Sequence, residues 1–320
     1  MSYVQPLPGD SRLTTFPICR QEIWNMYKTA LRSIWFATEI DLSTDRDDYL
    51  RKLSPKEQRP VDYTLAFFAS LDKLVNINIT ERFKKDFSIY EVDLFYDFQV
   101  VMENIHGETY SLLLDTIIAD ESRKEFLLNS IKEIPVIKKM ADWIYSCIDS
   151  DKVIGERLIR MAIVEGVFFI GSFCLIYWLQ DRGLMKGLGQ SNELIARDES
   201  FHTTFSLYMY SLLKPEYKIS YKEIKDLFRQ GVEIASEFIR ESLAYDLFAM
   251  NSTLMIKYIE CSVDNLLTLL GLPNMYNSKN PFHFMINLNL KNRTNFFERR
   301  ITEYSKSKDI SESLKTVDNF

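Results

Sequence analysis

Glu103-Asn104-Ile105-His106-Gly107-Glu108-Thr109-Tyr110 and, further on, Glu199-Ser200-Phe201-His202 are the stretches that decide the fold. Each sets a glutamate and a histidine three residues apart. In a helix that spacing puts both side chains on adjoining turns of one face. The chain has three histidines, His106, His202 and His283, and two of them share this pattern. A Glu and a His projecting together can ligate one metal ion. Two such helices, each completed by a carboxylate from another helix, form the di-metal arrangement of ferritin-like bundles. His283 has no carboxylate at that spacing and reads as structural.

The two remaining carboxylates can be sought where acids are out of place. Asp72 lies in Leu65-Ala-Phe-Phe-Ala-Ser-Leu-Asp72-Lys-Leu-Val75, and Glu165 in Met161-Ala-Ile-Val-Glu165-Gly-Val-Phe-Phe-Ile170. An acid in a buried helix is costly unless it is paired or bound to a cation. Asp72, Glu103, His106, Glu165, Glu199 and His202 then make a six-ligand set. Oxygen and imidazole donors without thiolate suit iron or manganese. One Glu-x-x-His arises often by chance, and one acid in an apolar helix is more often a surface residue. Two matching pairs in core-like sequence, with two buried acids to complete them, are much harder to dismiss.

The rest of the chain fits long helices. Among 320 residues there are only 10 Gly and 9 Pro, about half the usual share of turn-formers. Ser54-Pro55-Lys56-Glu57 reads as a helix start, with a capping serine, proline in the first turn and a glutamate that can reach back. Helical patterns are expected over Gln21–Ser33, Tyr63–Val75, Ile89–Ile118, Asp151–Leu179, Ser191–Leu213, Tyr221–Leu247 and Asn251–Leu270, with a break at Gly183 and Gly187. The expected organisation is an N-terminal arm (1–20), a helical metal-binding domain (21–290) and a flexible tail (291–320). Ser305–Lys315 is polar and poor in apolar residues.

Several classes are disfavoured. A net charge of −6 argues against a nucleic-acid partner. The four cysteines are scattered with no CxxC, so no zinc knuckle or disulfide framework is indicated. The N-terminus lacks an apolar signal core. The longest apolar run, Val167–Leu179, has 13 residues, short of the ~18 needed for a membrane span. The protein is expected to be cytoplasmic, with no membrane partner.

Glu103-Asn-Ile-His-Gly-Glu-Thr-Tyr-Ser111 resembles the ligand-and-tyrosine segment of class I ribonucleotide reductase small subunits, in their eukaryotic and large-DNA-virus form. Glu165-Gly-Val-Phe-Phe-Ile-Gly-Ser-Phe173, Arg182-Gly-Leu-Met-Lys-Gly-Leu188, Ser191-Asn-Glu-Leu-Ile-Ala-Arg-Asp-Glu-Ser-Phe-His202 and Asn295-Phe-Phe-Glu-Arg-Arg300 match the same family. The resemblance runs from about Phe16 to Phe320.

This resemblance implies an all-α, ferritin-like bundle with two iron ions per subunit (manganese being possible) and a tyrosyl radical at Tyr110. Tyr110 is four residues beyond His106, on the same helical face. Phe169, Phe173 and Ile195 are implied to shield the radical. Trp35 and Asp198 are implied to form a relay with His106, and Tyr304 to carry the radical on to the large subunit. The ending, with Leu314, Val317 and Phe320, is implied to dock on that large subunit. A homodimer, or a heterodimer with a second small subunit, is expected. The resemblance leaves Arg197 as a structural or supporting group. Other readings are a non-catalytic partner small subunit, a related di-iron oxidase, or a ferritin-like iron store. The six retained ligands weigh against the first, Tyr110 and the tail against the second, and Trp35 and Tyr304 against the third.

Overall fold

The computed structural model describes residues 7–10, 12–148 and 151–285. The chain divides into two units, Met1–Pro281 and Phe282–Phe320. Of the second, only residues 282–285 are described, a short stretch containing one helical turn at His283.

The first unit is helical, and no strand occurs among the described residues. Its main helices are α1 (Gln21–Leu31), α2 (Asp45–Arg51), α3 (Pro55–Asn78), α4 (Tyr90–Ile117), α5 (Glu121–Leu128), α6 (Pro135–Ile148), α7 (Ile154–Ile163), α8 (Ile170–Asp181), α9 (Lys186–Leu212), α10 (Tyr221–Ser242) and α11 (Ser252–Leu269). A π-helical turn, Val164–Phe168, joins α7 to α8, and a second, Ile79–Phe83, follows α3.

Helix starts obey local chemistry. The Ser54 N–H and hydroxyl both donate to Glu57 Oε2, at 2.8 and 2.7 Å. Ser220 and Glu223 form the reciprocal pair at the head of α10, and Asn251 Oδ1 accepts from Leu254 N at the head of α11. The start of α9 is made from afar. Asp45 is fully buried and accepts from the N–H groups of Gly187 and Leu188, at 2.9 and 2.7 Å. It satisfies two of the donors that a helix start leaves unpaired. Gly187 is required there, because a Cβ would meet the Asp41 carbonyl at 2.4 Å.

α3, α4, the α7–α8 run and α9 pack against one another. α1 covers α4, α6 lies against α3 and α10, and α10 and α11 flank the α7–α8 side. α4 extends over 28 residues and α9 over 27, so each can carry a ligand pair at mid-length and bury apolar turns on both sides.

Three expectations need correction. α10 stops at Ser242 rather than Leu247, because Leu247 pairs with Met250 in an isolated β-bridge and Ala249 takes a positive φ of 54°. α5 and α6 lie in a stretch for which no helix was expected. α6 nevertheless buries Ile137, Met140, Ala141, Ile144, Cys147 and Ile148, an i, i+3, i+4 pattern. Finally, the 13-residue apolar run belongs to a continuous helical stretch, Ile154–Asp181, of 28 residues. Length alone therefore does not exclude a span, but 83% of its most apolar window is buried inside the protein, as in a core helix.

Candidate metal centre

Four helical segments bring the six expected ligands to one place. α3 supplies Asp72, α4 Glu103 and His106, the π-turn Glu165, and α9 Glu199 and His202. None is more than 4% exposed. Their ligand atoms fall into two groups, Glu103–Glu165–Glu199–His202 and Asp72–Glu103–His106, with each group's atoms lying within 4.8 Å of one another. Glu103 belongs to both, as a carboxylate bridging two ions would. His283 is in neither.

The close approaches inside the cluster are between acids and ring nitrogens. His106 Nδ1 is 3.0 Å from Glu199 Oε1 and 3.5 Å from Glu103 Oε2. His202 Nδ1 is 3.1 Å from Glu103 Oε1 and 3.6 Å from Glu199 Oε2. Yet both Nδ1 atoms, both oxygens of Asp72 and of Glu199, and one oxygen each of Glu103 and Glu165 have no hydrogen-bond partner. Buried polar atoms are very seldom orphaned. These eight belong to six residues whose ligand atoms converge, and a cation among them would satisfy the set. The donors are oxygens and imidazole nitrogens, a set that fits iron or manganese.

Electrostatics agree. Burial pushes the Asp72 carboxyl well above the usual carboxylate range, and the Glu103 and Glu199 charges add to it. Burial also raises Glu165, with Glu199 adding to the effect. For Glu103 burial acts upward, but the close approach of the His106 and His202 rings outweighs it and holds the group at about 2. With four acids in a dry site, protonation or a cation must balance the charge.

Glu165 sits in the π-turn, where the widened turn alters the side-chain phase relative to the residues downstream. Its Oε1 accepts from Gln99 Nε2 at 2.9 Å, and the same nitrogen is 3.4 Å from Glu103 Oε1. Gln99 was not expected in the site. Its signal was position, one helical turn before Glu103 on α4.

Tyr110 lies on α4, 2% exposed, its hydroxyl unpartnered. Burial raises its pKa well above 10, and Asp72 is the first of the acids that add to this. Phe68 stacks on its ring with centroids 4.5 Å apart and planes 9° from parallel. Phe173 stacks in turn on Phe68 at 5.2 Å, and Phe169 meets Phe68 edge-on at 5.5 Å. Phe169, Phe173 and Ile195 are all buried. Phe68 is the ring in contact with the tyrosine, and it also was missed, although it precedes Asp72 by four residues on α3.

On the other side of His106 a polar chain leads outward. His106 Nε2 is 3.3 Å from Asp198 Oδ2, which accepts from Trp35 Nε1 at 2.8 Å. The Trp35 and His106 rings stack with centroids 5.9 Å apart. Arg197 holds the other oxygen, Oδ1, at 3.0 and 3.1 Å, and also donates to the Ser33 carbonyl at 2.7 Å. It thereby ties the Trp35 segment to α9. Tyr304, Leu314, Val317 and Phe320 lie outside the described residues.

Comparison with known proteins places the chain in a family. The profile of the family described as "Ribonucleotide reductase, small chain" matches residues 12–281. The chain is 45% identical over 308 residues to the ribonucleoside-diphosphate reductase small subunit of Dictyostelium discoideum, covering 96% of this chain and 90% of that one. It is 45% identical over 305 residues to the ribonucleoside-diphosphate reductase subunit M2 of Rattus norvegicus, with 95% and 77% coverage. Among solved structures, the ribonucleotide reductase Rnr4 homodimer of Saccharomyces cerevisiae is similar with a TM-score of 0.80, 33% identity and coverage of 93% and 91%. The dimanganese(II)-NrdF of Streptococcus sanguinis, at 20% identity, shares the fold with a TM-score of 0.79 and coverage of 87% and 99%. The helical architecture is thus the ferritin-like bundle, and the chain belongs to the ribonucleotide reductase small-chain family, as a small subunit of ribonucleoside-diphosphate reductase.

Proposed function

We propose that this small subunit binds two iron ions in the Asp72, Glu103, His106, Glu165, Glu199 and His202 cluster and stores a tyrosyl radical on Tyr110. It then passes that radical to a large subunit that reduces ribonucleotides. The observation that carries the reading is the pair of ligand groups sharing Glu103, in which each of the six residues has at least one buried polar atom without a hydrogen-bond partner. Manganese is the other ion that this donor set accommodates. When bound, the metal pair supplies, with dioxygen, the oxidising power to remove an electron from a phenol.

The chain's own residues do the rest. Phe68, Phe169, Phe173 and Ile195 keep water from Tyr110. Gln99 orients Glu165 through its amide. Asp198 holds His106 and Trp35 on one oxygen while Arg197 occupies the other, which supports a relay of His106, Asp198 and Trp35. Tyr304 continues the relay, and Leu314, Val317 and Phe320 anchor the tail on the large subunit. The subunit works as a dimer, with itself or a second small subunit, in the cytoplasm.

The test is an electron paramagnetic resonance spectrum recorded after ferrous iron and dioxygen are added. The wild type is expected to show a tyrosyl signal and about two irons per subunit. Tyr110→Phe should keep the iron and lose the stable signal. A stable signal unchanged in that variant removes Tyr110 from the role.

A further inference from the structure

Tyr96 is a second buried phenol on α4, and nothing in the proposed relay uses it. It is 2% exposed and its hydroxyl has no hydrogen-bond partner. It stands one helical turn before Gln99, whose amide bonds Glu165. Its ring stacks on Phe83, centroids 5.8 Å apart, and meets Phe205 edge-on at 5.3 Å. Near it lies a buried ion pair, in which Arg157 donates to both oxygens of Asp86 at 2.5 and 2.8 Å. Burial raises the Tyr96 pKa, and the charges of Asp86 and Glu165 raise it further. Asp72 is the acid that acts most on Tyr110, whereas Glu165 is the cluster acid that acts on Tyr96. Tyr96 precedes Glu103 by seven residues on α4 and Tyr110 follows it by seven, so the two phenols lie about two helical turns to either side of that ligand.

Packing does not account for the hydroxyl. A buried donor without a partner is destabilising, and phenylalanine would fill the same aromatic slot without it. A polar atom in such a position calls for an explanation, and a redox role is one.

We infer that Tyr96 is a second oxidisable site, which takes the oxidising equivalent generated at the metal cluster when Tyr110 cannot. This rests on the cluster being a dioxygen-reducing metal pair. Four electrons and four protons reduce dioxygen to two waters. Two electrons come from the ferrous ions, one from an external thiol or ferrous reductant, and one from the Tyr96 phenol. The phenol's proton is one of the four consumed, and the other three come from solvent. The product is a neutral tyrosyl radical walled by Phe83 and Phe205.

The test uses full-length Tyr110→Phe, loaded with ferrous iron, mixed with dioxygen and freeze-quenched over milliseconds to seconds. The expected result is a transient tyrosyl signal that narrows when the protein carries ring-deuterated tyrosine. It should be lost, by tenfold or more, in Tyr96→Phe/Tyr110→Phe at equal iron content. Peptide mass spectrometry should find oxidised Tyr96 in the single variant only. Tyr96→Phe alone removes just an unpartnered hydroxyl, so its melting temperature should be no lower than that of the wild type. If the wild type forms its radical while Tyr110→Phe gives no Tyr96-dependent signal, the inference fails and the proposed function stands. If the wild type forms no tyrosyl radical at all, the proposed function fails and the inference falls with it.

Discussion

The Trp35 indole Nε1 donates to Asp198 Oδ2 across 2.8 Å, although 163 residues separate the two in the chain. The same oxygen lies 3.3 Å from His106 Nε2. One carboxylate oxygen thus connects a ligand-bearing helix to a segment at the head of the fold. Asp198→Ala would leave the indole N–H, His106 and Arg197 without their common acceptor, at a stability cost of about 1–3 kcal/mol. The Tyr110 radical should still form, since the six ligands are intact, while nucleotide reduction with the large subunit should fall to background. Turnover at the wild-type rate would exclude the Asp198–Trp35 path.

Metal should stabilise this fold strongly. Without a cation, Asp72 and Glu165 must hold protons or repel their neighbours, as their raised pKa values indicate. A ligand at a thousand times its Kd adds about 4 kcal/mol. For a chain of 320 residues that corresponds to roughly 6 °C in melting temperature. Calorimetry with and without ferrous iron, under anaerobic conditions, measures it. Glu199→Ala should lose most of both the bound iron and the shift. Full iron loading in that variant would count against the cluster as the metal site.

Phe68 should matter more than its absence from the sequence reading suggests. Its ring covers Tyr110 at 4.5 Å and touches both Phe169 and Phe173. Phe68→Ala opens a cavity at the centre of this stack and should cost about 3–5 kcal/mol. It also admits water to the phenol, so the radical should decay at least tenfold faster. Phe68→Leu should restore most of the stability but less of the lifetime. If the radical persists equally long in all three proteins, Phe68 is only a packing residue.

The tail gives a prediction that needs no side-chain geometry. A polar segment ending in Leu314, Val317 and Phe320 suits folding onto a partner through a few apolar anchors. Deleting residues 313–320 should leave iron and radical unchanged and abolish nucleotide reduction. A peptide of those residues should compete with the intact subunit for the large one. Tyr304→Phe should differ: assembly and radical retained, turnover lost. Normal activity of the truncated protein at ordinary concentrations would end the docking proposal.

Periodicity and spacing carried much of the fold. Long helices with few turn-formers follow from composition, and α4 and α9 were legible because each repeats one Glu-x-x-His on an apolar face. Boundaries were less legible. α10 ends early because Leu247 and Met250 pair across a turn. The start of α9 depends on Asp45, far away in sequence, so no local motif announces it.

The sequence by itself singled out the six candidate donors and the kind of ion that their chemistry suits. Spacing of three fixes each Glu and His on one face, and an acid amid apolar helix residues is anomalous wherever it falls. Only the tertiary structure decided which of these meet. It made Glu103 common to both groups, laid Phe68 on Tyr110, turned Gln99 onto Glu165, and set Asp198 between His106 and Trp35. The physical reason is that helix periodicity orients a side chain about its own axis. Partners on other helices are chosen by the packing of α3, α4, α9 and the α7–α8 run, to which residues throughout the core contribute.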